Sequence, residues 1–421
     1  MTENTGRRIY YGFVIAALGF LIQAIFWGTY RSFGLFFNPL LNEFGWSRAE
    51  LAGAASAGWL IVGLMNFPAG ATVDMFGPRI ALTICGALFG LGYVLMSGVH
   101  GLWQVYTFYI IMAVGMSAAD VVPLSTIARW FIQKRGTITG IAKVGTGIGM
   151  MSLPLVASRL IETLGWRTAY VMLGGVAALA LVAMAQFLRR DPSKMGPRAY
   201  GAKGAAISSK ASEEGLSLRQ AVRTRQFRTL CVVYLLVTTV AEVVMMHTVP
   251  HAIDLGISST AAAGMLSLIG ATSILARGAI GVIVDRFGSK KALLLCFIPQ
   301  LSALVCLQFA DSLTALYVFA VLYGLSHGGF FTLIAPIVAQ LFGTVSHGAL
   351  FGVIMAANGV GGAIGPVLTG RAFDVLNTYR VPFIALIAMG ITALLLVASL
   401  SKTEYQLEVE ERTRNLVATV P

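Results

Sequence analysis

The feature that most constrains this chain is its series of long apolar runs. They occupy residues 10–38, 48–72, 79–98, 102–130, 136–161, 167–188, 229–253, 259–283, 290–310, 313–341, 346–371 and 380–400. A helix of about 20 apolar residues crosses a hydrocarbon layer about 30 Å thick. Charged residues make up only 11% of the chain, too few to cover a water-soluble protein. The runs therefore predict an all-α membrane protein with twelve transmembrane helices, numbered spans 1 to 12 in chain order.

Basic residues in the short connections predict the orientation of these spans. The chain has 30 Lys and Arg against 18 Asp and Glu. Many of them gather at sites such as Arg7–Arg8, Lys134–Arg135 and Lys290–Lys291. Loops rich in Lys and Arg stay on the cytoplasmic side, and an even number of spans returns the chain to the side where it began. We therefore expect an inner (plasma) membrane protein with both termini cytoplasmic, and no nucleic-acid partner.

A polar segment at residues 189–228 separates the first six spans from the last six. Residues 1–188 are therefore predicted to form an N-terminal six-helix bundle. Residues 189–228 are predicted to be a cytoplasmic linker, and residues 229–421 a C-terminal six-helix bundle with a cytoplasmic tail. Leu216 to Phe227 mixes apolar residues with arginines, which favours an amphipathic helix lying on the inner leaflet.

The two halves repeat each other. Gly70–Arg79, after span 2, has the same Gly-x-x-x-Asp-x-Phe-Gly-x-Arg/Lys pattern as Gly281–Lys290, after span 8. Gly136–Gly140 at the start of span 5 likewise matches Gly348–Gly352 at the start of span 11. In both matches the second segment follows the first at nearly the same distance along the chain. This repetition predicts two pseudo-symmetric bundles of like topology. The residues of this doubled loop motif are Gly70, Asp74, Gly77, Arg79, Gly281, Asp285, Gly288 and Lys290.

The doubled loop motif resembles the signature of the major facilitator superfamily. The resemblance implies two bundles around a central cavity that is opened to each side in turn. The glycines allow a tight turn and close helix approach. Asp74 and Asp285 are expected to cap the N-terminus of a neighbouring helix and to attract Arg79 or Lys290.

Within that superfamily the chain resembles the monocarboxylate transporters and their bacterial relatives, including the oxalate:formate exchangers. The residues that carry this resemblance are Glu43–Arg48, Trp130–Gly136, the glycines from Gly145 to Pro154, and Arg277. The resemblance implies a secondary active transporter of small monocarboxylates such as lactate or pyruvate, with proton-coupled symport. The alternative is a carboxylate exchanger of the oxalate:formate kind, in which Arg277 and Lys143 together clamp a dicarboxylate.

Arg277 is the leading candidate for substrate binding. It lies eight residues before Asp285, hence about 12 Å inside the membrane boundary. A charge at that depth is costly unless it is paired or hydrated, and a guanidinium suits a carboxylate. The position matches the family's substrate-binding arginine. The acid that the family often has four residues earlier is Ser273 here, which leaves the proton carrier open.

Two further basic residues are candidates with open alternatives. Arg31, near the outer end of span 1, matches an outward-side lysine of the family, and the alternative is that it only snorkels to the interface. Lys143 lies eight residues past Arg135 and is expected to face the same cavity as Arg277. The alternative is a permanent structural pair of Lys143 with Asp120 or Glu242.

The remaining candidates are acids, histidines and residues expected to shape the cavity. Glu242, His247 and Asp120 are the proton-coupling candidates, and a satisfied hydrogen-bonding role is the alternative for each. The other predicted substrate-site residues are Tyr30, Tyr323, Phe331, Asn358 and Ser273.

Other classes of protein are disfavoured by what the sequence lacks. There is no Gly-x-x-x-x-Gly-Lys-Ser/Thr loop for ATP, and we expect no cofactor and no metal. A membrane enzyme would need a nucleophile and a base that face each other, and a receptor would need a larger soluble module. The expected partners are a small carboxylate, H+ and the lipid bilayer, and the monomer is expected to be the working unit.

Overall fold

The chain folds into a bundle of long helices in the computed structural model, which describes residues 10–192, 215–403, 405–409 and 411. Eleven helices of this described part are long and apolar enough to cross a membrane. One of them, Arg135–Phe187, has 53 residues, which at helical rise is about twice the length that one crossing needs. Gly165 interrupts it at φ 78°, so this helix supplies two spans. The prediction of an all-α protein with twelve spans is confirmed.

The spans lie close to their predicted positions. Span 1 comprises Tyr11–Arg31, the 3-10 turn Ser32–Phe36 and Phe37–Phe44, and span 4 comprises Leu102–Met116 and Ala118–Trp130. Arg135–Phe187 forms spans 5 and 6. Spans 2 and 3 are Arg48–Phe76 and Pro78–Met96. Spans 7 to 12 are, in order, Arg225–Asp254, Ser259–Phe287, Ser289–Gln308, Leu313–Phe342, His347–Leu376 and Arg380–Ala398.

Glycines at positive φ end two equivalent spans. Gly77 has φ 89° and ends span 2, and Gly288 has φ 83° and ends span 8. Only glycine adopts this region without strain, so each residue reverses the chain sharply into the following span. The same turn therefore recurs in the two halves, as the repeated loop motif predicts. The end of the bundle that carries Gly70–Arg79 and Gly281–Lys290 is called the motif end below.

The most extensive contacts between the two halves join span 2 to span 11 and span 5 to span 8. Glycines make these contacts close near the motif end. A Cβ atom added to Gly136 would lie 2.5 Å from the carbonyl oxygen of Gly281, and one added to Gly70 would collide with the carbonyl group of Gly348. The halves are therefore in backbone contact there, and the motif end of the bundle is closed.

The structure departs from the predicted amphipathic helix over Leu216 to Phe227. Leu218–Ala221 forms one helical turn, and a separate helix, span 7, begins at Arg225. Thr224 caps this second helix by accepting a hydrogen bond from the Phe227 backbone N–H. The backbone N–H of Leu216 donates to the Phe342 carbonyl at 2.8 Å. This stretch therefore packs on the connection between spans 10 and 11. Arg7–Arg8, linker residues 193–214 and tail residues 412–421 lie outside the described residues.

Candidate substrate-binding site

A cavity of about 720 Å³ lies between the two halves. Its wall is built by spans 1, 2, 4 and 5 of the first half and spans 7, 8, 10 and 11 of the second. The ionisable residues on this wall are Arg31, Asp120, Lys143, Glu242, Arg277 and His327. Most of the rest of the wall is apolar, so a charged group inside the cavity has few places where it can be stabilised.

The Arg277 side chain is only 5% exposed and lines this cavity. Its Nη1 donates a hydrogen bond to the Lys143 carbonyl oxygen over 3.4 Å, and its Nε has no hydrogen-bond partner in the described part of the chain. No carboxylate of the described residues lies within salt-bridge distance of it. A buried guanidinium in this state attracts an anion from the cavity, because its donors are incompletely satisfied.

Glycines of span 5 make room for span 8 at this point. A Cβ atom on Gly147 would lie 3.5 Å from the Arg277 Nη1. One on Gly140 would collide with the Arg277 carbonyl oxygen. The glycine run that the sequence shows in span 5 therefore allows the guanidinium to reach the boundary between the halves.

Lys143 is paired with Asp120. The Lys143 Nζ lies 2.6 Å from the Asp120 Oδ1, and their side chains are 4% and 6% exposed. Gln23 Nε2 donates to the same oxygen over 2.7 Å, and Thr146 Oγ1 donates to Gln23 Oε1 over 2.6 Å. Of the two acids considered as partners, Asp120 holds the lysine, and a buried pair with extra hydrogen bonds is well compensated.

Trp27 lies near two of the cavity cations and was not singled out from the sequence. The Arg31 guanidinium carbon is 5.9 Å from the centre of its ring, and the Lys143 Nζ is 5.8 Å from the same centre. Both separations allow a cation–π attraction. Arg31 itself is exposed and belongs to the cavity wall. The sequence analysis also did not identify Gln23 as a candidate. A polar amide inside the apolar run of span 1 is a sequence signal that could have identified it.

The three proton-coupling candidates have different environments. Glu242 is half-buried on the cavity wall, and no hydrogen bond joins its carboxyl group to another described residue. Asp120 is held by Lys143 and Gln23. His247 is not one of the residues that line the cavity. Its ring nitrogens lie 3.0 Å from the Pro366 carbonyl oxygen and 3.3 Å from the Tyr379 hydroxyl instead.

Two of the aromatic residues expected to shape the cavity lie behind its wall. Tyr30 is 6% exposed and packs on Tyr109 at 6.0 Å between ring centres. Tyr323 is 1% exposed and stacks on Phe319 at 5.6 Å. Both rings belong to the packed core. Contacts with other aromatic rings stabilise them there. The structure does place Phe331, Asn358 and Ser273 on the cavity wall.

The aspartates of the loop motif bind the opposite half. Asp74 accepts hydrogen bonds from the backbone N–H groups of Gly348 at 3.1 Å and Ala349 at 2.7 Å, at the start of span 11. Asp285 accepts from Gly136 at 2.7 Å and Thr137 at 2.8 Å, at the start of span 5. Each carboxylate thus satisfies free N–H groups and faces the positive end of a helix dipole.

The expected attraction of these aspartates to Arg79 and Lys290 is absent from the structure. Arg79 donates to Gln186 at 2.8 Å, and Lys290 donates to the carbonyl oxygens of Ala398 and Leu400. Both basic residues begin a new span after a positive-φ glycine, so the turn directs them to a neighbouring helix. The cation that pairs with Asp74 is Arg129, at 2.9 Å.

Comparison with known proteins identifies the family of this chain. It is 26% identical over 383 residues to monocarboxylate transporter 13 of Bos taurus, covering 89% of this chain and 85% of that protein. It is 26% identical over 385 residues to the oxalate:formate antiporter of Oxalobacter formigenes, covering 87% and 86%. Among solved structures, a proton:xylose symporter, XylE, has the same fold, with a TM-score of 0.78 at 16% identity over 95% of this chain and 98% of that one.

The human organic anion transporter MFSD10 also shares the fold, with a TM-score of 0.75 at 15% identity over 92% of this chain and 99% of that one. The family model described as Major Facilitator Superfamily matches residues 16–298 and 230–419. These matches identify a multi-pass membrane transporter rather than an enzyme. The chain is a member of the Major Facilitator Superfamily.

Proposed function

We propose that this protein is a secondary active transporter of small monocarboxylates of the lactate or pyruvate type, moved together with a proton by alternating access. The observation that carries the proposal is the Arg277 guanidinium, buried on the cavity wall with no carboxylate of the described residues within salt-bridge distance. The names of the relatives, monocarboxylate transporters and an oxalate:formate antiporter, support the same class of substrate.

The charges on the cavity wall favour a substrate with one negative charge. Three basic side chains, Arg31, Lys143 and Arg277, face two acidic ones, Asp120 and Glu242. When all five are ionised, the wall has an excess of one positive charge, and a single carboxylate that binds together with a proton on Glu242 leaves this net charge unchanged. Arg277 would bind the carboxylate, and Arg31, exposed at the cavity, would draw anions in from outside. Movement of an unaccompanied charge across a membrane potential costs about 2.3 kcal/mol per 100 mV, so a proton that travels with the substrate removes this cost.

Glu242 is the proposed proton carrier. It lies on the cavity wall and has no hydrogen-bond partner among the described residues, so its carboxyl group is free to bind and release a proton. Asp120 is occupied by Lys143 and Gln23, and His247 lies away from the cavity with both ring nitrogens in contact with other groups. Glu242 would take the role that the acid four residues before Arg277 has in the family, where this chain has Ser273.

The contacts at the motif end support alternating access. Asp74 and Asp285 each bind the first N–H groups of a span in the opposite half, so these contacts must break before the cavity can open at the motif end. We propose that the motif end is cytoplasmic, that both termini lie on that side of the plasma membrane, and that the conformation described is outward-facing. One bundle pair encloses the whole cavity, which supports a functional monomer.

The second candidate function is exchange of carboxylate anions, favoured by the similarity to the oxalate:formate antiporter. In that case Arg277 and Lys143 would clamp a dicarboxylate. The 2.6 Å contact between Lys143 and Asp120 weighs against it, because the lysine would first have to leave a buried partner. We therefore place symport first.

The test is transport by the purified protein in liposomes. Labelled lactate should exchange with internal lactate, and an inward proton gradient should drive uphill uptake. A thermal-shift screen with lactate, pyruvate, formate and oxalate identifies the preferred ligand, because a bound ligand raises apparent stability. Lactate uptake that is indifferent to the pH gradient, together with oxalate–formate exchange, would favour the exchanger. Absence of flux of all four acids would refute both.

A further inference from the structure

A small space beside Gly362 brings together polar groups from both halves. A Cβ atom added to Gly362 in span 11 would lie 2.8 Å from the Trp59 Nε1 of span 2 and 3.1 Å from the Glu242 Cγ of span 7. It would also lie 3.5 Å from the Thr238 Cγ2, and Thr238 is one turn before Glu242 on the same helix face. The indole N–H of Trp59 in the first half and the Glu242 side chain of the second half therefore border one space, which only glycine leaves open.

The donor and the acceptor at this space are both unsatisfied. Trp59 Nε1 and Thr238 Oγ1 are both buried, and neither has a hydrogen-bond partner among the residues that the structure describes. Glu242 accepts no hydrogen bond from a residue that the structure describes. A buried donor without an acceptor is unfavourable, and indole N–H groups usually find a partner when they are buried. The structure therefore places an unsatisfied indole donor near an unsatisfied carboxyl group without a hydrogen bond between them.

We propose that Trp59 Nε1 donates a hydrogen bond to the ionised Glu242 carboxylate and thereby sets the pH at which this group takes up the coupled proton. The inference rests on the proposed function, because it takes Glu242 as the proton carrier. The proton itself comes from water in the cavity and binds a carboxylate oxygen, while the Trp59 N–H keeps its own proton. Trp59 is thus a positioning residue, which acts through Glu242.

The bond links protonation to movement because its two ends belong to different halves. An ionised carboxylate accepts a stronger hydrogen bond than a protonated one. Ionised Glu242 therefore holds span 7 to span 2 through Trp59, and protonation loosens that connection. Uptake of the proton then favours relative movement of the halves, as symport requires.

Other ionisable groups lie near Glu242. Arg31 of span 1 acts on its carboxyl group electrostatically, and the neutral hydroxyl groups of Tyr30 in span 1 and Tyr323 in span 10 lie close enough to sense its charge. Arg31 also favours the ionised carboxylate, so Trp59 is one of two stabilising groups and both belong to the first half. The cavity-lining residues of spans 2 and 11 in the described chain are uncharged. The hydrogen bond should therefore move the titration of Glu242 without abolishing it.

The experiment compares Trp59→Phe with Trp103→Phe in the full-length purified protein. Both substitutions keep an aromatic ring and remove an indole N–H, and the Trp103 side chain is 70% exposed and is not part of the cavity wall. Infrared difference spectra recorded during a pH titration show the carboxylic acid band of protonated Glu242, identified by its loss in Glu242→Gln. Trp59→Phe should raise the midpoint of this band by about one pH unit, the size of one hydrogen bond to a charged group. Trp103→Phe should leave the midpoint where it is.

Lactate transport gives an independent readout in the same variants. The pH profile of lactate uptake should move to higher pH in Trp59→Phe, in step with the infrared midpoint. Gly362→Ala tests the same space without altering the tryptophan. Its Cβ would lie 2.8 Å from Nε1 and should separate donor from acceptor, with a midpoint shift in the same direction.

The outcomes separate this inference from the function on which it rests. If Glu242→Gln removes the titrating band and the pH dependence of uptake, but Trp59→Phe and Gly362→Ala leave the midpoint unchanged, the role of Trp59 is refuted and the proton carrier stands. If Glu242→Gln changes neither the band nor the pH dependence, the proton carrier is refuted and the role of Trp59 with it.

Discussion

Arg277 donates a hydrogen bond to the backbone carbonyl oxygen of Lys143 over 3.4 Å, and so joins span 8 of one half to span 5 of the other at the cavity wall. The Lys143 side chain is held elsewhere, by Asp120. A carboxylate is a stronger acceptor for a guanidinium than a peptide carbonyl is. A substrate at Arg277 would therefore compete with a contact between the halves, which gives substrate binding a direct route to conformational change.

The Lys143–Asp120 pair should be important for stability. Lys143→Met leaves the Asp120 carboxylate buried with only Gln23 as a partner, and breaking a buried ion pair in this way costs about 3–5 kcal/mol. The melting temperature of the purified protein should therefore fall. The double variant Lys143→Met/Asp120→Asn removes both charges and should recover much of the loss. A single variant as stable as wild type, or a double variant no better than the single one, would contradict a structural pair.

The glycine contact between spans 5 and 8 should control closure of the motif end. In Gly281→Ala the added Cβ would collide with the Gly136 carbonyl oxygen, which should push the halves apart and reduce lactate counterflow at least tenfold. Gly278→Ala lies one turn away on the same helix, with nothing within 4 Å of the added Cβ, and should transport normally. Distances between spin labels on spans 5 and 8 give the readout, and equal behaviour of the two variants would contradict this role.

The aspartate caps should favour the state that is closed at the motif end. Asp285→Ala removes two hydrogen bonds to the first N–H groups of span 5. A lost helix cap is worth about 1 kcal/mol, so the open population should rise about fivefold. Accessibility of a cysteine placed at the motif end of span 5 measures this change. Asp311→Ala, exposed between spans 9 and 10, serves as the control, and an unchanged accessibility in Asp285→Ala would count against the cap.

Removal of the proposed proton carrier should separate exchange from uphill uptake. Glu242→Gln cannot release a proton, so lactate counterflow should persist while accumulation driven by a pH gradient is lost. Glu162→Gln changes an exposed acid of span 5 and should accumulate lactate as the wild type does. Accumulation by Glu242→Gln at the wild-type level would show that the coupled proton is carried elsewhere.

The sequence predicted the spans and the repeat well because both are local patterns. Apolar runs place the helices within a few residues, and the glycines at Gly77 and Gly288 mark turns that only glycine makes easily. The 53-residue helix Arg135–Phe187 also agrees with two predicted spans, because Gly165 interrupts it. These features depend on residues close together in the chain.

The partners of individual side chains could not be predicted in the same way. Lys143 had two possible acidic partners, and only the packing of span 4 against span 5 decides for Asp120. Tyr30 and Tyr323 belong to spans that line the cavity, but they point into the core. Gln23, Trp27 and Trp59 become significant only when the cavity wall is assembled. Which face of a helix meets which neighbour is a property of the whole bundle.

The most direct test of the proposed substrate site is lactate counterflow by Arg277→Ala in liposomes, beside Arg277→Lys and the control Arg159→Ala, whose side chain is 83% exposed. All three variants should fold and insert. Arg277→Ala should lose counterflow entirely, Arg277→Lys should keep a small part because a lysine offers charge without the planar fork, and Arg159→Ala should match the wild type. Wild-type counterflow by Arg277→Ala would show that the carboxylate binds somewhere else.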